Sequence, residues 1–156
     1  MNDAFDHFQR LGFPRRFAID PAELERAYLA ASRLAHPDVG GSEADGATLN
    51  EAYATLNDPF RRAECLLSLL GGPSAAEAKG LPGSFLMDVM ELRERAEAAD
   101  GADRKTIAHE LRIRSVALFD DVARQFEQVP VPLSAIRQLL NAAKYLRNLQ
   151  RELRGA

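Results

Sequence analysis

Residues 33–43 read RLAHPDVGGSE, and three of them could do chemistry. His36 and Asp38 flank Pro37, so an imidazole and a carboxylate sit two residues apart around a ring that restricts the backbone. Such a spacing supports three chemistries. Pro37 disfavours α geometry at His36 and would stop a helix there, with Asp38 capping nearby amides. A His-x-Asp pair could supply a base and its orienter, or two metal ligands. The third is recognition: a carboxylate and an imidazole donor held at an exposed tip, where a partner arginine could pair with Asp38. The catalytic and metal readings lack support elsewhere in the chain. His7 and His109 lie in unrelated segments, Cys65 is the single cysteine, and no nucleophile is marked. No metal site, no cofactor and no enzymatic activity of the chain's own are therefore expected. Iron–sulfur ligation in particular uses several thiolates.

The elements that would hold this tripeptide are helices. Asp20-Pro21 opens one with a cap and a proline at the first helical position, and Glu23 would complete a capping box. Leu24, Ala27, Tyr28, Ala31, Leu34 and Ala35 form its apolar stripe, while Arg26 and Arg33 share another face seven residues apart. A second helix carries Leu49, Ala52, Tyr53 and Leu56. Before the pair, residues 3–11 put Phe5, Phe8 and Leu11 on one side; after it, Asp58-Pro59 restarts a helix lined by Phe60, Ala63, Leu67 and Leu70. His36-Pro37-Asp38 then falls at the tip of a helical hairpin.

Further along, GGPSAAEAKGLPG at 71–83 reads as a linker, and three longer helices follow near 84–99, 102–127 and 133–154. Gly101 separates the first two and VPVP at 129–132 the last two. The fold class is all-α, with little period-two alternation.

The helix at 84–100 is the most informative about partners. At about 100° per residue, Phe85, Val89, Leu92, Ala96 and Ala99 make a sufficient core stripe. Leu86, Met87 and Met90 fall on nearly the opposite side, beside Glu91 and Glu94. Two readings stand: a helix sandwiched between two packed layers, or an exposed protein-binding patch, for which methionines are well suited.

Bulk properties exclude several classes. A net charge of -3 and a pI near 5.6 argue against nucleic-acid binding. No stretch approaches the roughly 20 apolar residues of a membrane span, and the acidic start is unlike a secretory signal. A cytoplasmic location is the resulting expectation.

The order of capped amphipathic helix, His36-Pro37-Asp38, polar loop and second helix resembles a J domain. Adding the linker, FLMDVMELRE at 85–94 and an α-helical hairpin, the whole chain is similar to the HscB family of co-chaperones, with Arg62-Ala63-Glu64 in agreement. The resemblance implies a J domain at 1–71, a linker at 72–83 and a scaffold-binding three-helix bundle at 84–156. It implies stimulation of a DnaK/HscA-type chaperone ATPase through His36, Pro37 and Asp38, with Arg26 and Arg33 meeting an acidic chaperone surface. It implies delivery of the iron–sulfur scaffold protein IscU, bound by Leu86, Met87, Met90, Glu91, Glu94 and Tyr145; a core role for Tyr145 is the other possibility. Many J domains carry a lysine after the tripeptide, where this chain has Val39-Gly40-Gly41, and Glu23 and Glu25 dilute the basic face. A general J protein delivering unfolded clients is the alternative function.

Overall fold

The computed structural model describes residues 5–155. Every element of regular structure among them is helical: α1 His7–Arg10, α2 Pro21–Ala35, a single 3-10 turn Pro37–Val39, α3 Glu43–Asn57, α4 Pro59–Leu69, α5 Phe85–Ala98, α6 Gly101–Phe126 and α7 Leu133–Gly155. An N-terminal J domain is followed by a C-terminal three-helix bundle. The backbone separates into two compact units, dividing after Leu66.

In the first unit α2 and α3 pack as an antiparallel hairpin around Leu24, Ala52 and Leu56, with Phe8, Leu11, Phe17 and Ala63 closing the core. Asp6 caps α1, accepting from the Gln9 amide at 2.9 Å while the Gln9 side chain accepts from the Asp6 amide at 3.0 Å. That helix begins only at His7. Phe5 precedes it and is exposed, so it does not join the stripe of Phe8 and Leu11; residues 3 and 4 of the expected helix lie outside the described region.

Three further details differ from the sequence expectation. Asp20 caps α2 through the Ala22 amide, one residue short of Glu23, and the reciprocal half of the box is not made. Leu34 is exposed because it sits about 80° from Leu24 around the helix, at the margin of the buried arc. Leu70, just past the last residue of α4, is exposed as well.

The second unit is built on Val89, Leu92, Ala96, Ile107, Leu111, Leu146, Leu149 and Leu153. Gly101 does not separate α5 from α6: it is the first residue of α6. Asp100 provides the break, its carboxylate accepting from the amides of Ala102 and Asp103 at 3.1 Å each.

The stretch expected to be a plain linker is hydrogen-bonded along much of its length. Gly71, at φ +83°, turns the chain out of α4 and lets the Gly72 amide donate to the Leu67 carbonyl. Ser74 and Glu77 cap one another's amides. The Asn141 side chain on α7 donates to the carbonyls of Ala78 and Gly80 at 2.9 and 2.8 Å, and its oxygen accepts from the buried Arg137 Nε at 3.1 Å.

Candidate functional site

The tripeptide sits where α2 ends. His36 is extended (φ -66°, ψ 137°), as a residue before proline must be, and its carbonyl accepts from the amides of Val39 and Gly41, both at 3.0 Å. The imidazole turns inward on its own loop: Nδ1 accepts from the Asp38 amide at 3.2 Å. That bond requires an unprotonated Nδ1, which leaves the ring proton on Nε2. Asp38 Oδ2 lies 3.4 Å from the same Nδ1, a contact that becomes an ion pair only if the ring is protonated. The hydrogen bond from the amide orients the ring, and the Asp38 carboxylate, 88% exposed, is left to the solvent.

The two glycines that follow Val39 are demanded by the turn. Gly40 has φ +93°. A Cβ on Gly41 would lie 1.9 Å from the Ala35 carbonyl oxygen, inside any permissible contact. Arg26 and Arg33 are exposed on α2, as the sequence placed them.

The hairpin is held by contacts away from its tip. The Tyr28 hydroxyl donates to Asn50 Oδ1, and the rings of Tyr28 and Tyr53 stack with centroids 4.4 Å apart. Arg62 lies over the Phe17 ring, 4.8 Å from its centroid, and donates to the Leu56 carbonyl at 2.6 Å. Burial pushes its pKa down, with Asp58 opposing, but an arginine remains charged throughout the physiological range. The sequence reading noted Arg62 only as part of a motif; its job in the fold is to tie α4 to the end of α3.

In the second unit α5 shows two apolar faces. Val89 and Leu92 are buried, whereas Leu86, Met87 and Met90 are 43%, 76% and 54% exposed. Glu91 and Glu94 are exposed beside them. Phe85, expected in the core, is only half-buried because it is the first residue of the helix and lies at the end of the bundle. Its ring meets that of Tyr145 edge to face, centroids 6.5 Å apart. Tyr145 is therefore at the rim of the bundle, 37% exposed.

Ion pairs set the register of this face. Arg93 of α5 reaches Glu152 of α7 at 3.6 Å. Two turns back from that pair, the start of α5 again meets α7, where Phe85 touches Tyr145. On the other flank Arg95 donates to both oxygens of Glu110 at 2.9 and 3.0 Å, and Arg114 pairs with Asp88 at 3.8 Å. The Arg95 hydrogen bonds, with its charge, hold the Glu110 carboxyl below the ordinary glutamate range. What results is an exposed apolar strip of Leu86, Met87 and Met90, edged by the carboxylates of Glu91 and Glu94.

No group of three or more metal-ligating side chains occurs among the described residues. Cys65 is half-buried, and burial, with Asp6 nearby, pushes its thiol pKa up. No described helix is long and apolar enough to cross a membrane.

Residues 81–154 match the family model of the HSCB C-terminal oligomerisation domain. The crystal structure of the human co-chaperone HscB superposes with a TM-score of 0.82 at 27% identity, covering 99% of this chain and 83% of that one. Over nearly its whole length the chain is similar to the HscB-type co-chaperones. Two curated relatives agree, each a co-chaperone protein HscB homolog. That of Aromatoleum aromaticum is 28% identical over 97% of this chain and 93% of its own length. That of Chromobacterium violaceum is 41% identical over 64% of this chain and 63% of its own.

Proposed function

We propose that this chain stimulates the ATPase of a DnaK/HscA-type chaperone through His36, Pro37 and Asp38, and delivers to it an IscU-type iron–sulfur scaffold protein. Residues 1–71 face the chaperone, with Arg26 and Arg33 extending the contact along α2. Residues 84–156 bind the scaffold through Leu86, Met87, Met90, Glu91, Glu94 and Tyr145. Residues 72–83 join the two, and the setting is the cytoplasm. The observation that carries this reading is the second apolar face of α5, left exposed by a bundle whose core is already filled from the opposite side.

The mechanism follows from the two surfaces. An arginine on the chaperone pairs with the exposed Asp38 carboxylate, and the His36 imidazole presents Nε2–H beside it. The scaffold lays apolar side chains against the methionines and places cations near Glu91 and Glu94. Holding both partners on one chain makes the second encounter intramolecular and raises its effective concentration. The chain itself makes and breaks no covalent bond.

Single-turnover ATP hydrolysis by an HscA-type chaperone tests this. Stimulation is expected with the chain alone and greater stimulation when the chain and scaffold are added together. Equal stimulation with any unfolded protein in place of the scaffold would instead support the general J-protein reading.

A further inference from the structure

Uncompensated positive charge collects between α6 and α7. Ala108 and Arg112 of α6 and Gln150 and Arg154 of α7 line an open groove of about 270 Å³. Counting about 100° per residue from the buried Ile107, Ala108 and Arg112 stand on one flank of α6. Glu110 and Arg114, which pair with Arg95 and Asp88 of α5, stand on the other. On α7, Gln150 and Arg154 stand to one side of Leu146, and Tyr145 and Glu152, which meet α5, to the other. The groove therefore opens on the side of the α6–α7 pair away from α5 and its methionine face.

Arg112 and Arg154 are exposed, and neither makes an ion pair with another described residue; nor do Lys105 and Arg151, exposed beside them. Gln150, half-buried, adds an amide donor to the groove wall, and no carboxylate is among the lining side chains. Elsewhere in this unit Arg93, Arg95, Arg114 and Arg124 each meet a carboxylate. The chain as a whole is acidic, with a net charge of -3, so this local excess of cations runs opposite to its average. Like charges gathered in a groove repel one another and focus their field on an incoming anion. A guanidinium grips a carboxylate through two parallel N–H bonds, and here one such fork stands on each wall.

We propose that this groove docks an acidic helical segment of a partner protein. The partner is distinct from the scaffold, which is expected to bring cations to Glu91 and Glu94 on the other side of the bundle. Lys105 and Arg112 stand seven residues apart, two turns or about 10 Å along α6. Gln150 and Arg154 stand four apart, one turn, along α7. Side chains recur on one face of a helix at these same intervals, so a third helix laid along the groove sets a row of carboxylates against both walls. Ala108 contributes no bulk to the groove and leaves room for the partner's side chains. A nucleic-acid strand suits the surface less well. A long polyanion would run on toward the exposed carboxylates of Asp120 and Glu127 farther along α6, so the groove selects a short acidic segment. The contact is electrostatic and open to solvent, and salt weakens it.

Fluorescence anisotropy with the full chain tests the assignment. The probe is a labelled alanine-based helical peptide carrying glutamates at positions i, i+4, i+7 and i+11. It should bind, more weakly as salt rises, while the same peptide with glutamines should not. Arg112→Glu and Arg154→Glu should each weaken binding about tenfold or more, as the loss of a complementary charge pair does. Arg16→Glu, the same charge change at an exposed site in the other unit, should bind as the unaltered chain does. Circular dichroism checks that each variant keeps its helices; Arg112→Gln and Arg154→Gln carry the test should a glutamate variant lose them. A glutamate peptide that binds no better than its glutamine version, or one that loses as much affinity to Arg16→Glu, would overturn the assignment. So would equal binding of a glutamate peptide broken by a central proline. Tighter binding of tripolyphosphate or of a single-stranded oligonucleotide, lost in the same arginine variants, would overturn it in favour of a phosphate ligand.

Discussion

The rings of Phe85 and Tyr145 meet edge to face, 6.5 Å between centroids, where the start of α5 passes α7. The contact joins a half-buried residue to an exposed one, so the apolar strip of α5 continues onto α7 instead of ending at the helix edge. Tyr145→Ala should weaken scaffold binding about tenfold, while stability falls by only about 1 kcal/mol, the scale of one aromatic pair. Tyr145→Phe, which keeps the ring, should bind normally. Isothermal titration with the scaffold, paired with thermal melts, reads both; equal loss in the two variants would point to the hydroxyl instead.

The two faces of α5 should separate binding from folding. A Leu86→Ala, Met87→Ala, Met90→Ala variant removes exposed side chains and should lose several kcal/mol of scaffold affinity, at roughly 1.5–3 kcal/mol per fully buried side chain. Leu92→Ala opens a cavity in the bundle core and should cost about 2–5 kcal/mol of stability. Chaperone stimulation without scaffold should survive the triple change. An unfolded triple variant beside a stable Leu92→Ala would reverse the assignment of faces.

Asp38→Asn should leave the melting temperature unchanged, since the carboxylate is exposed and its backbone amide keeps the bond to His36. Stimulation of chaperone ATP hydrolysis should be lost. Single-turnover hydrolysis measured with the melt distinguishes a lost contact from a lost fold.

Gly41→Ala should damage the same activity by another route. Its Cβ would collide with the Ala35 carbonyl at 1.9 Å, so the loop must open and move Asp38. Gly46→Ala, where nothing lies within 4 Å and the residue is helical, should be neutral or slightly stabilising by up to about 1 kcal/mol. Comparing ATPase stimulation by the two variants tests whether loop geometry, rather than glycine content, matters.

The Glu110–Arg95 pair gives a pH signature. The Arg95 hydrogen bonds hold the folded-state pKa of Glu110 below its unfolded value. The pair's contribution is therefore present in full above the ordinary glutamate range and is lost as pH falls through the depressed folded value. Thermal melts at falling pH should show a shallower acid decline for Glu110→Gln than for the unaltered chain. Identical slopes would mean that solvent screens the pair completely.

Much of this was legible in the chain itself, because it depends on local rules. Helix period marked α2 to α7, Asp20-Pro21 and Asp58-Pro59 marked two starts, and Pro37 forced His36 out of helical geometry. The two faces of α5 were equally readable, since residue spacing alone sets angle on a helix. Other features arise between segments distant in sequence, and no local pattern encodes them. Arg93 meets Glu152, Phe85 meets Tyr145, and Asn141 holds the carbonyls of Ala78 and Gly80 across some sixty residues. Gly41 belongs to the same class: the sequence marked a polar loop there, but only the path of the chain beside Ala35 makes glycine compulsory. Periodicity determines which side of a helix is apolar; the packing of one helix on another decides which apolar side chains meet a neighbour and which are left for a partner.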